Sequence, residues 1–173
     1  MSRERYFAAE WEWACCGGPL RVGDAVTLRV QRGTAHADEM RRRLEGVLPG
    51  PLTGVETHHD DGVVENPDED VVERPGVVVA LDAVVGDVRW QVVEREGAGP
   101  RTVDLGDGTS ATFGSAAPTQ AVGEQVPGTA RTVPVAVVPA AGVVPPGTGP
   151  DLARPGVQVR PSHDGYVITL ELS

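Results

Sequence analysis

Long apolar runs are missing from this 173-residue chain. None approaches the roughly 18 residues that a membrane-spanning helix needs, so no transmembrane helix and no membrane partner are expected. The opening "MSRERYFAAEWEWA" carries acids where a secretory signal would have its apolar centre, which predicts a cytoplasmic protein. Cysteine is scarce, with only Cys15 and Cys16, and this excludes a disulfide-built scaffold. Lysine is absent, and the longest basic tract, Arg41 to Arg43, is too short to predict a nucleic-acid partner. The Asp-x-Asp-x-Asp-Gly spacing of a calcium loop does not occur.

What is present is glycine, proline and one acidic stretch. Gly (22) and Pro (15) exceed a fifth of the chain, so much of it is expected to be loop. The net charge of -10 is concentrated. Eight acids and no arginine lie from Glu56 to Glu73, which predicts a solvated acidic loop at about 56–73, with cation binding or a basic partner as the alternatives.

Periodicity of two dominates the pattern. In "YFAAEWEWAC" the odd positions Phe7 to Cys15 are apolar, the alternation of a half-buried strand with Cys15 on its buried face. "RVGDAVTLRVQ" alternates again after the breaker Gly17 to Pro19, with a turn or bulge at Gly23-Asp24. "LTGVETHH" reads as a short strand or extended segment. Residues 77–85 and 88–94 read as a hairpin about Gly86-Asp87, and Asp107-Gly108 and Asp164-Gly165 give two further hairpin signals. A single helix is expected near residues 35–47, capped by Thr34, with the three arginines mainly on its solvent side. Between Gly114 and Gly156, eight prolines predict a connection, in which "TVPVAVVP" is the one candidate edge strand.

Many short strands, one helix and few aromatics predict a mainly β fold. The expected form is a small antiparallel barrel or rolled sheet, SH3-like or OB-like, with one short α-helix. It would be a single β-rich domain over 1–173, with the acidic loop at about 56–73 and a Pro/Gly/Ala-rich connection at about 114–156.

The adjacency of the two cysteines invites a chemical reading. Cys15 and Cys16 with His58 and His59 form a sufficient ligand set for tetrahedral zinc. Adjacent residues on a strand point to opposite faces, so each pair converges on one ion only if it sits on a turn. The alternatives are packing of Cys15 beneath Trp11 and Trp13, or a Cys16 nucleophile with His58 or His59 as base; a disulfide between Cys15 and Cys16 would need a distorted peptide and is not expected as the resting state.

"WEWACCGGPLRVGDAVTL", His58-His59 and "PGVVVALDAV" together resemble a family of small actinobacterial proteins of unknown function. The family pattern lies on Trp11 or Trp13, Cys15, Cys16, Gly17, Pro19, Val22, Gly23, Asp24 and the two histidines. The arginine-only basic set agrees with a GC-rich source of that kind. The resemblance implies no activity. The functional expectation is an interaction or regulatory module without catalysis, with an unknown protein as its partner. The alternative is a zinc-dependent or Cys/His enzyme using Cys15, Cys16, His58 and His59.

Overall fold

A computed structural model describes residues 2–57, 71–94, 101–104, 110–113, 119–140 and 149–172. The chain is mainly β. Its elements are β1 (Ser2–Ala9), α1 (Glu10–Cys16), β2 (Leu20–Arg21), β3 (Ala25–Gln31), α2 (Ala35–Leu44), β4 (Gly54–Glu56), β5 (Val71–Glu94), β6 (Arg101–Asp104), β7 (Ser110–Phe113), β8 (Thr119–Gln125), β9 (Arg131–Pro134), β10 (Val137–Val138) and β11 (Gly156–Leu172). Two compact units divide these elements: the described residues within 1–86, 127–147 and 162–173, and those within 87–126 and 148–161. No helix among the described residues is long and apolar enough to cross a membrane.

In the first unit β1 is a central strand. It pairs antiparallel with β11 from Ser2↔Leu172 to Ala9↔Gly165, and parallel with β4 at Tyr6↔Gly54. β4 pairs with β3 at Val30↔Glu56, and β3 pairs with residues 71–77 of β5. Both faces of β1 are covered: Tyr6 and Ala8 join Leu28, Val30, Val78, Ile168 and Leu170 in one cluster, while Phe7 and Ala9 join Met40 and Leu44 of α2 in another. This explains why β1 reads as a nearly continuous apolar run at Tyr6 to Ala9. In the second unit, residues 88–94 of β5 pair with β8, and β6 pairs with β7.

Four expectations change. The Phe7–Cys15 strand ends at Ala9, and a second helix, α1, replaces its continuation, so there are two helices instead of one. β1 has no ladder partner beyond Ala9, and the backbone groups that follow satisfy themselves locally by turning helical. Gly86-Asp87 is not a hairpin turn. β5 spans this pair, and its partner changes there, from β9 at residues 82–85 to β8 at 88–94. Asp164-Gly165 is likewise inside β11, where Gly165 allows close approach: its φ is +150°, and a Cβ there would lie 2.1 Å from the Ala8 carbonyl oxygen. Finally, the Pro-rich stretch carries three strands, β8, β9 and β10, and Val138 is fully buried. The Asp107-Gly108 turn lies outside the described residues, between the antiparallel β6 and β7.

The second helix agrees with its signals. Thr34 caps α2 by accepting from the Ala37 amide at 3.1 Å, and Gly46 at φ +76° follows its end. Its arginines, expected mainly in solvent, are partly committed. Arg41 donates to the Arg32, Leu52 and Thr53 carbonyls, and Arg43 pairs with Asp164, while Arg42 is exposed.

Candidate functional site

The chemistry-bearing side chains of the first unit gather around α1. With only seven residues this helix is too short to be stable alone, and its sole buried member is Trp13. The Trp13 indole N–H donates to the Pro139 carbonyl at 2.9 Å, and the Gly17 amide closes the last turn by donating to the Trp13 carbonyl at 2.8 Å. Gly17 lies so close to the ring that a Cβ would be 2.6 Å from it.

The outward side holds both cysteines. Cys15 and Cys16 are exposed and not joined in a disulfide, and their Sγ atoms are 3.2 Å apart. The exposure of Cys15 overturns its placement beneath Trp11 and Trp13. Trp11, four residues before Cys15, is 67% exposed. The turn that convergence requires is supplied by the helix, not by Cys16-Gly17-Gly18-Pro19. His58 and His59 lie outside the described residues, which reach Thr57.

A carboxyl and an imidazole at this end of the unit are buried. Glu56 projects from β4 on the same face as Val30, which opposes it across the ladder, and it is 4% exposed. Burial first, and the Glu12 carboxylate second, push its carboxyl up to about 8, against a smaller opposing effect of Arg29. The neighbouring Thr57 hydroxyl donates to Glu12 at 3.4 Å, and the Thr57 amide donates to the Arg29 carbonyl. Glu56 is therefore no part of a solvated loop.

His163 is the other buried group, with its ring edge-on to Tyr166 at a centroid distance of 4.6 Å. Its Nδ1 is 3.8 Å from a Glu10 carboxylate oxygen, beyond hydrogen-bonding reach, and neither ring nitrogen has a hydrogen-bond partner among the described residues. Burial lowers its pKa, opposed by the negative charges of Glu10 and Asp164. Burial also raises that of Tyr166, with Glu10 adding to it.

At the opposite end of β1 a second polar group is self-contained. Tyr6 donates to Glu4, Arg32 donates to both Glu4 oxygens at 3.1 and 2.9 Å, and Arg74 stands 3.7 Å from the same carboxylate. A cleft of about 470 Å³ opens elsewhere, past the end of α2, lined by Arg41, Arg42, Leu44, Leu48, Pro51 and Leu52 among others. None of Glu10, Glu12, Glu56, His163 or the cysteines lines it. No group of three or more His, Cys, Asp or Glu side chains is placed to hold a metal ion among the described residues.

The sequence pattern does not single out Glu10, Glu12, Glu56 or His163. For Glu56 the alternation argues the other way: set opposite the apolar Val55 at the end of a short strand, it reads as facing solvent. His163 precedes the apolar run of β11 without any periodic mark of burial.

What the structure defines is a mainly β protein with a dithiol helix set over a buried acid and a buried histidine. The chain belongs to DUF6578, a family of unknown function whose pattern matches residues 3–171. A search of the curated proteins found no match, and neither did a search of the solved structures.

Proposed function

We propose that this protein is a binding or regulatory module without catalysis, acting on a protein or small-molecule partner in the cytoplasm. One observation carries the reading: the cleft of substrate size and the titratable groups with shifted pKa are in different places. Among the described residues Glu56 and His163 do not reach this cleft, whose charged lining is Arg41, Arg42 and Glu45 on an apolar wall, a surface suited to holding a ligand. Glu56 and His163 are instead buried in the packing near α1. The fold reading that goes with this is a sheet rolled on itself as a small barrel, supported by the additional pairing of β11 with β5.

The test is to mix isotope-labelled protein with a metabolite extract and follow protein and small-molecule signals by NMR. Reversible shifts of protein signals with unchanged extract composition are expected. Consumption of a component that stops in His163→Gln or Cys16→Ser would overturn the reading in favour of an enzyme.

A second reading, a zinc centre using Cys15, Cys16, His58 and His59, draws support from the convergence of the two thiols. It is also supported by the bond from Thr57, the residue before His58, to Glu12 of the same helix. Zinc binds thiolate and neutral imidazole, so about one equivalent should co-purify and a chelator should lower the melting temperature. Protein purified without chelator and free of stoichiometric metal would remove this reading.

A further inference from the structure

The vicinal thiols support a chemistry that needs neither the cleft nor a metal. We propose that Cys15 and Cys16 form a dithiol–disulfide exchange site, which a low-molecular-weight disulfide oxidises reversibly to a bond between the two adjacent cysteines, unwinding the last turn of α1.

Three observations point there. Both thiols are exposed, so a small disulfide reaches either one. Their sulfurs are 3.2 Å apart, so a mixed disulfide formed on one thiol has the other as its nearest nucleophile. Both also lie at the end of a short helix whose final turn is closed by the Gly17 amide on the Trp13 carbonyl.

The exchange balances in two displacements. One cysteine thiolate attacks a sulfur of R–S–S–R, forming protein–S–S–R and releasing one thiolate RS⁻. The neighbouring thiolate then attacks the protein-side sulfur, forming the Cys15–Cys16 bond and releasing the second RS⁻. The two protons lost by the cysteines end on the two RSH products. The protein is oxidised by two electrons, and the small disulfide is reduced by two.

Geometry then transmits the change. A disulfide holds its sulfurs about 2.05 Å apart, so the pair must close by more than an ångström within a small ring that contains the planar Cys15–Cys16 peptide. Helical backbone angles do not satisfy that ring, and residues 15 and 16 leave the helix. The Gly17–Trp13 bond goes with them. Gly17 is packed on the Trp13 ring, and that indole is tied to Pro139 beyond β10, so the oxidation state of the surface pair reaches a buried tryptophan. Strain of this kind makes a disulfide easy to reduce, which is what a reversible site requires.

The experiment equilibrates the purified protein with glutathione and glutathione disulfide at increasing oxidation. Intact mass, thiol alkylation and amide hydrogen exchange are then read. The wild type should lose two hydrogens without gaining a glutathione adduct, both thiols disappearing together, and dithiothreitol should restore them. Exchange at the Gly17 amide should accelerate roughly tenfold or more on oxidation, because its closing bond is lost. Cys15→Ser and Cys16→Ser, both exposed positions, should each accumulate a stable glutathione adduct and keep the slow Gly17 exchange. Stable glutathione adducts or disulfide-linked dimers of the wild type would overturn the proposal, as would unchanged Gly17 exchange after the loss of two hydrogens.

Discussion

Replacing Glu56 by Gln should stabilise the protein at alkaline pH and leave it nearly unchanged in acid. The carboxyl has an ordinary value of 4.5 and a value of about 8 in the folded protein. A carboxyl raised on folding costs nothing below 4.5, where both states are protonated. The cost grows as pH rises from 4.5 towards 8 and is constant above, where the folded protein must hold a buried carboxylate. At 1.36 kcal/mol per pH unit the gap sets an upper limit of roughly 5 kcal/mol, and relaxation around the charge reduces this to about 2–3 kcal/mol in practice. Urea denaturation of wild type and E56Q at intervals from pH 4 to pH 9 measures it, since groups that titrate alike in both proteins cancel in the difference. Glu12 supplies the second-largest upward push, so Glu12→Gln should make the cost level off at a lower pH and shrink without vanishing, while its onset near 4.5 stays put. A stability difference that stays flat from pH 5 to pH 9 would refute the assignment of a buried, protonated Glu56.

His163 carries the opposite sign. Its pKa is lowered from 6.5 by burial, so its contribution is complete above 6.5 and is lost as pH falls below it, and His163→Gln should flatten the acid side of the stability profile. Denaturant midpoints between pH 4 and pH 7 check this. Gly165→Ala should cost about 3 kcal/mol or prevent folding, because both its φ and the Ala8 carbonyl oxygen exclude a Cβ; a melting temperature within a degree of wild type would contradict it. Val138→Ala should cost roughly 2 kcal/mol as a cavity in the core. Replacing residues 131–138 with a Gly-Ser linker should cost more, since β9, β10 and the support of Trp13 go together. A thermal melt that leaves the linker variant at the wild-type midpoint would show this stretch to be mere connection.

Some of this protein was legible in the chain itself. The mainly β character shows in the two-residue alternation, and the α2 helix with its Thr34 cap and the turn at Gly23 rest on interactions within a few residues, which local pattern encodes. The sequence also isolated Cys15 and Cys16 and stated the condition for their convergence, a turn. Tertiary structure decided that the turn is a helix, because β1 runs out of ladder partners at Ala9, and strand alternation among Trp11, Trp13 and Cys15 cannot reveal where a partner ends. The same limit explains Gly86 and Gly165. A glycine beside an aspartate is a turn when a strand pairs with its own continuation, and it is a point of close approach or a change of partner when other strands supply the ladder. Burial of Glu56 and His163 was likewise a tertiary decision: a carboxyl at the end of the short β4 and an imidazole within the long β11 are ordinary surface groups until β3, α1 and Tyr166 cover them, and only then does the loss of water shift their protons.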